Sequence, residues 1–262
     1  MTKRHDIIWL DKTDSTNREA SRRISDLDNL SVLSAYEQTA GRGQRGNSWH
    51  SRTGENLTFS IVMKYGNGDG HIPEIRAADQ FAISEATALA VVDLLASYNI
   101  EAKIKWPNDI YVGKRKICGI LIESALRGSY MAHSIIGIGL NVNQTEFDPS
   151  LPNPTSMILC SPDEMRELNL VTLLEEFMDI FSSYCNRYIN ITDGLARLRK
   201  LYLSMLWRLD EPARYIDCKS SPEGREFSGI IRGLSEIGHL KVEDTEKGEL
   251  QEFAFKEISF II

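Results

Sequence analysis

The chain has 262 residues, 42% apolar and 26% charged, with a formal net charge of −7. That length allows one large domain, or a large one with a small one, and the apolar share is enough for a packed core. The acidic balance excludes the broad basic face that non-specific nucleic-acid binding needs, but not a site for a small anion.

In chain order, residues 5–12 read as a short strand. Thr16-Asn17-Arg18-Glu19 fits a capping box, which starts a helix running to about Ile24. Val32 to Tyr36 reads as a strand leading into a glycine loop. Leu57, Phe59, Ile61 and Met63 alternate with Thr58, Ser60 and Val62, the two-residue period of a strand. Gly66 to Gly70 reads as a mobile loop. Pro73 to Tyr98 is the longest expected helix, with a broad apolar face; its most apolar part, near Ala86 to Ala96, is broken by Asp93 and reads as too short to cross a membrane.

Residues 100–106, 108–112, 116–124 and 133–142 read as successive strands, with a hairpin turn at Gly113-Lys114-Arg115. Residues 145–162 are irregular and carry Pro149, Pro152, Pro154 and Pro162. Two helices follow, near 172–189 and 193–207. After Asp210-Glu211-Pro212 the texture changes to short alternating runs at 213–218, 226–234, 237–243 and 250–261, which read as a small all-β unit. The expected division is therefore 1–210 and 211–262.

Cys118, Cys160, Cys185 and Cys218 are dispersed, without a C-x-x-C pair or a Cys/His cluster, so free thiols are expected rather than a zinc site. The apolar run after Lys3 and Arg4 spans only Ile7 to Leu10, too short for a signal peptide. A cytoplasmic protein that uses neither membrane nor nucleic acid is the expectation.

Two positive islands interrupt this acidic chain. Residues 41–54 hold Arg42, Arg45 and Arg52 and no carboxylate. Residues 103–116 hold Lys103, Lys105, Lys114, Arg115 and Lys116 against one acid, Asp109. Glycines let a backbone approach a ligand closely, and fixed cations attract phosphate or carboxylate, so together they point to a site for a small polyanion. Gly41-x-Gly43-x-x-Gly46 matches the dinucleotide fingerprint in letters, but the polar, turn-rich stretch Asn47 to Asn56 follows where that motif needs a helix. In Lys105-Trp106-Pro107-Asn108-Asp109, the proline biases Trp106 toward an extended backbone. Trp106 reads equally as core, and Asp109 as a ligand contact or as an ion-pair partner of a nearby cation. Lys116 stands on the far arm of the hairpin, where it points back to the same place or into solvent. Ser15-Thr16-Asn17 supplies small polar groups at a helix start, for capping or for a neutral polar head group. Asn141 and Asn143 end an apolar strand, either as turn formers or as donor–acceptor pairs for a nucleobase edge. No P-loop, G-x-S-x-G elbow or histidine pair at metal-binding spacing is present.

Five segments stand in the order and spacing of biotin–protein ligases, and the chain resembles that family over nearly its whole length. They are Ser15-Thr16-Asn17, Gln38-Thr39-Ala40-Gly41-Arg42-Gly43, Lys105-Trp106-Pro107-Asn108-Asp109, Lys116-x-x-Gly119-Ile120-Leu121-Ile122-Glu123 and Gly137-x-Gly139-x-Asn141-x-Asn143. Phe255-Lys256-Glu257-Ile258-Ser259 resembles the family's closing β unit. The resemblance implies an α+β fold of the class II synthetase and biotin-ligase type, a mixed or antiparallel central sheet flanked by helices, with a small C-terminal Src-homology-3-like β-barrel. It implies activation of biotin by ATP to biotinyl-5′-AMP, with Mg²⁺ arriving on the nucleotide and no protein-held metal. Transfer would follow to a lysine of the biotin carboxyl carrier domain of a carboxylase.

Carried over position by position, the resemblance gives Ser15, Thr16 and Gln38 to the ureido head of biotin. The loop from Gly41 to Trp49 would close over the adenylate, with Arg42 near the carboxylate and phosphate. Lys116 would hold the carboxyl oxygen or α-phosphate, and Trp49 and Asn141 would meet the adenine. Asp109 would stand near the reacting centre, and Asn17, Gly43, Gln44, Arg45, Trp106, Asn108 and Gly119 complete the expected binding set. Many members carry a basic residue where Gln44 stands, a departure that bears on how tightly the intermediate is held. Some members begin with a DNA-binding winged helix; only 14 residues precede Ser15, so a repressor role is not expected. A lipoate–protein ligase of the same fold, a silent biotin-binding protein or scaffold, and a nicotinamide-binding dehydrogenase are the alternatives. An exposed edge of the central sheet would serve a homodimer, the acceptor, or each in turn.

Overall fold

The computed structural model describes residues 5–66, 72–161, 167–191, 193–219 and 223–262, without the side chain of Arg45. Beyond Gly66, the loop expected at Gly66–Gly70 lies outside the described residues, as does Pro162.

The first unit is one seven-stranded sheet. Its strands are β1 (Ile7–Thr13), β2 (Val32–Gln38), β3 (Leu57–Lys64), β4 (Lys103–Lys105), β5 (Asp109–Val112), β6 (Arg115–Arg127) and β7 (Tyr130–Leu140). They lie in the order β1-β2-β3-β7-β6-β5-β4, and only β1 and β2 run parallel. One face carries the main core. On it α2 (Phe81–Ser97) packs against α4 (Leu170–Tyr184) and α5 (Gly194–Ser204), while α3 (Met157–Cys160) is a single turn. The opposite face carries α1 (Thr16–Arg22), which closes a smaller cluster of Ala20, Leu27, Leu33, Val62 and Ile135.

Register decides what that second face offers. The β3/β7 and β6/β7 pairings set Thr58, Gly139 and Gly119 in one row, and Ser60, Gly137 and Leu121 in the next. Glycines leave a pleated surface bare. Three glycines in two neighbouring rows therefore make a shallow trough beside α1.

Several sequence expectations shift. The first helix is capped by Ser15, whose backbone is extended, so Thr16 is the first helical residue rather than the cap, and no side chain makes a capping bond. The long helix does not start at Pro73. Residues 75–77 pair with 129–131 instead (Met131 N to Ile75 O, 2.8 Å; Ala77 N to Ser129 O, 2.8 Å), which holds them extended until a 3₁₀ turn at Ala77–Asp79. Ala77–Ser97 is, at 21 residues, long and apolar enough to cross a membrane, contrary to the sequence reading of its apolar part. Most of its apolar residues are buried inside the protein, as a core helix requires. The helix expected over 172–189 ends as α-helix at Tyr184, with one π turn over Cys185–Ile189.

The second unit begins at β8 (Pro212–Asp217) and continues through β9 (Arg225–Leu234), β10 (Leu240–Asp244), β11 (Glu249–Phe253) and β12 (Ile258–Phe260). The run expected over 250–261 is two strands, parted at Lys256, which sits at φ +90°. The order β11-β10-β9-β8-β12 is antiparallel throughout and open at both ends, so the expected barrel is not closed by hydrogen bonds. Tyr215, Phe227 and Phe253 fill its centre, ring against ring. A backbone bond splices the two units, from Asp210 N to Ile231 O (2.9 Å).

Candidate functional site

The trough is deepened into a cleft between α1, the glycine loop and β6. Ser15, Thr16, Asn17 and Gln38 line one end, and Gly43, Asn108, Lys116 and Gly119 line the other. Its polar end is a closed network. Gln38 Oε1 accepts from Thr16 N at 2.8 Å and from Thr16 Oγ1 at 3.3 Å. Ser60 Oγ, fully buried, lies 2.7 Å from Thr16 Oγ1 and 2.6 Å from Asn17 Oδ1. Asn17 Nδ2 donates to Glu123 Oε2 (2.9 Å) and Leu121 O (3.3 Å). Small neutral groups held in fixed directions suit a neutral polar head group. The hydroxyl of Ser15 makes no capping bond to the helix it precedes.

The loop from Gly41 to Trp49 folds over this cleft as a small hairpin. Gly43 N donates to Asn47 O (2.7 Å) and Trp49 N to Gly41 O (3.0 Å). No helix opens after Gly46, so the dinucleotide fingerprint fails structurally too. Arg42 makes a two-pronged pair with Glu123 of β6 (Nη1–Oε2 3.1 Å, Nη2–Oε1 2.9 Å). Glu123 thus ties the roof of the cleft to Asn17 on its floor. Trp49 lays its indole on the glycine rows. A Cβ on Gly139 would fall 2.3 Å from that ring, and one on Gly119 3.1 Å.

The charged end is built around Asp109. Its Oδ1 is 2.6 Å from Lys116 Nζ, and its Oδ2 is 3.9 Å from Lys105 Nζ. The ion-pair reading of Asp109 is thus the one realised here. Burial lowers the pKa of Lys105, with Asp109 opposing that shift. Lys116 is fixed by the irregular stretch, through Lys116 N to Asn153 O (2.7 Å) and Thr155 N to Lys116 O (2.9 Å). Asn108 is clamped to β6, donating to Ile120 O at 2.6 Å.

Three expected binders lie differently. Trp106 is 3% exposed, and its indole N–H is committed to Gly238 O (2.9 Å), so it offers a ligand no donor. Asn141 is buried outside the main cleft; its Nδ2 donates to Thr155 O (2.8 Å), while its Oδ1 has no partner. A buried acceptor without a donor is what a ligand amine would satisfy. Asn143 is satisfied at both ends by the backbone of Leu168 and is structural. The Gln44 side chain reaches the main cleft and the two neighbouring ones, with Oε1 buried and unpartnered. Sequence reasoning gave no role to Ser60 or Glu123. The strand alternation that placed Ser60 opposite the core was the available signal.

A neutral polar pocket runs, beneath a glycine–arginine roof, into a lysine–aspartate cluster. That combination admits a ligand with a neutral head and an anionic tail. The sequence profile of the Biotin/lipoate A/B protein ligase family matches residues 9–141, half of the chain. The chain belongs to that family. A biotin–[acetyl-CoA-carboxylase] ligase of Paracoccus denitrificans is 30% identical over 240 residues, covering 88% of this chain and 91% of that protein. The enzyme of the same description from Mycobacterium tuberculosis is 31% identical, covering 87% and 80%. Among solved structures, biotin protein ligase from Aquifex aeolicus in complex with biotin and ATP aligns with a TM-score of 0.73 at 24% identity, over 97% of each chain.

Proposed function

We propose that this ligase joins biotin to a lysine of a biotin carboxyl carrier domain in two steps. The carboxylate of biotin attacks the α-phosphorus of ATP, and pyrophosphate leaves. The lysine amine then attacks the acyl carbon of biotinyl-5′-AMP, and AMP leaves. The observation that carries this reading is that Thr16 and Gln38, which Ser60 braces from beneath, share one cleft with Lys116, whose ammonium is paired to Asp109. The network takes the neutral ureido head. Arg42 and Lys116, held in place before reaction, offset the charge that gathers as one anion attacks another. To reach the ligand, Arg42 exchanges Glu123 for it. Trp49 and the open Oδ1 of Asn141 serve the adenine ring and its amine.

Among the described residues no three His, Cys, Asp or Glu side chains gather as a metal site, and Asp109 is held by two lysines. We assign Mg²⁺ to the phosphates of the nucleotide, where it would neutralise charge. Residues 121–127 of β6 have β7 on one side and, among the described residues, no strand on the other. We assign that edge to the acceptor domain or to a second copy of the chain. A cytoplasmic location is supported by four free cysteines.

The test is pyrophosphate release from MgATP by the purified chain, with biotin and lipoate in parallel. Release with biotin alone is expected. Release with lipoate alone would move the protein to the lipoate branch of its family. Silence with both, in a folded sample, would leave a binding protein without catalysis.

A further inference from the structure

The peptide that carries Asp109 also carries Trp106, and the two side chains face different parts of the molecule. Asp109 turns to Lys116. Trp106 turns to the C-terminal unit, where its Nε1 donates to Gly238 O across 132 residues of sequence, and its ring meets Phe255 edge to face at 6.1 Å. The carbonyl it reaches sits in a tight turn between β9 and β10, with Gly238 N donating to Ser235 O (3.1 Å) and Ser235 N to His239 O (2.8 Å). That turn is itself moored. Arg199 donates from Nη1 to Ser235 O (2.6 Å) while its Nε pairs with the buried Glu85 of α2. Gly238 lies at φ +89° with the Phe81 ring 2.4 Å from where a Cβ would be, so the turn has little room to shift.

A buried indole N–H must find an acceptor. Here it finds one in the other unit, two residues from a side chain clamped to β6 and three from Asp109. We propose that the C-terminal unit sets the reaction centre through this bond, with Trp106 as a positioning residue for the Lys116–Asp109 pair. The inference rests on the biotin-ligase reading for the reaction it affects, and only on the fold for its geometry. It also gives the second sheet a role in chemistry while none of its strands enters the biotin end of the cleft.

Two variants separate the bond from bulk packing. Trp106→Phe keeps an aromatic ring and removes the N–H; Gly238→Ala keeps the indole and displaces the carbonyl. Each is expected to lower kcat for biotin-dependent pyrophosphate release by roughly three- to tenfold per folded molecule, the effect of one hydrogen bond. The KM for biotin should stay within about twofold, because the Thr16–Gln38 end is untouched. The double variant should lose no more than the worse single one, since both cut the same link. Unchanged kcat in Trp106→Phe, with only a lower melting temperature, would reduce Trp106 to a packing residue. Multiplying losses would place the two residues on separate routes. Should Gly238→Ala fail to fold, Trp106→Phe alone decides. A wild-type chain silent with biotin would instead refute the ligase reading, an outcome distinct from either.

Discussion

Lys116 and Arg42 are both paired to carboxylates on the protein, and in the proposed reaction a ligand's anion takes over those contacts. For Lys116 the partner is Asp109 at 2.6 Å, in a position where the lysine side chain is still 32% exposed. Removing the ammonium therefore leaves the fold intact and strips the centre of its nearest fixed charge. Lys116→Ala is expected to lower adenylate formation by roughly 10²–10³-fold, the usual cost of losing one preorganised charge stabiliser. Pyrophosphate release at saturating biotin and ATP measures it, and a wild-type rate would remove Lys116 from the chemistry. At this scale the sequence disclosed charge and little direction. It showed that Asp109 was surrounded by cations, yet not which of them would close on it. It could not show that the N–H of Trp106 would be taken by a residue 132 positions away, because that depends on how the second sheet docks.

The elements explain why the site lies where it does. The alternation through β3 marked one face of the strand as core, and that was legible. The other face was not turned to water. Its Thr58 and Ser60 are buried, and the glycines that β7 and β6 set beside them line the cleft. Register across three strands is a tertiary property, so neither glycine pattern could be placed from its own segment. The start of α2 was hidden for a similar reason, since pairing of residues 75–77 with 129–131 overrides local helix preference. The two glycines of β7 now make a contrasting prediction. A methyl on Gly137 would meet Asn17 Oδ1 at 2.2 Å, at the neutral end of the cleft. On Gly139 it would meet the Trp49 ring instead. Overpacking of this kind costs about 1–3 kcal/mol, roughly five- to a hundred-and-fiftyfold in an equilibrium. Gly137→Ala should therefore raise the KM for biotin by about that factor, and Gly139→Ala the KM for ATP. If both variants raised the same constant, the division of β7 into a biotin half and a nucleotide half would be wrong.

At the scale of the whole molecule, the seam between the units holds a buried charge pair that no motif or spacing announced. Glu85 on α2 is 1% exposed, and Arg199 on α5 reaches from it to the carbonyls of Ser235 (2.6 Å) and Glu236 (3.3 Å). Burial pushes the Glu85 carboxyl up to about 7, with the Arg199 guanidinium pulling the other way. An unfolded chain releases that proton near the ordinary glutamate value of 4.5. Below about 4.5 both states hold the proton, and the group adds no pH dependence. Between about 4.5 and 7 the folded protein keeps a proton that the unfolded chain has lost, so the native state binds more protons and stability falls as pH rises. Above about 7 both states are ionised and the slope ends. Glu85→Gln removes the titration and keeps an acceptor for Arg199. Urea midpoints at pH 5, 6 and 7.5 are then expected to show the wild type losing about 1–3 kcal/mol relative to Glu85→Gln across that window. Parallel curves for the two proteins would mean that Arg199 holds Glu85 ionised throughout. In that case the seam is fixed by charge at every physiological pH.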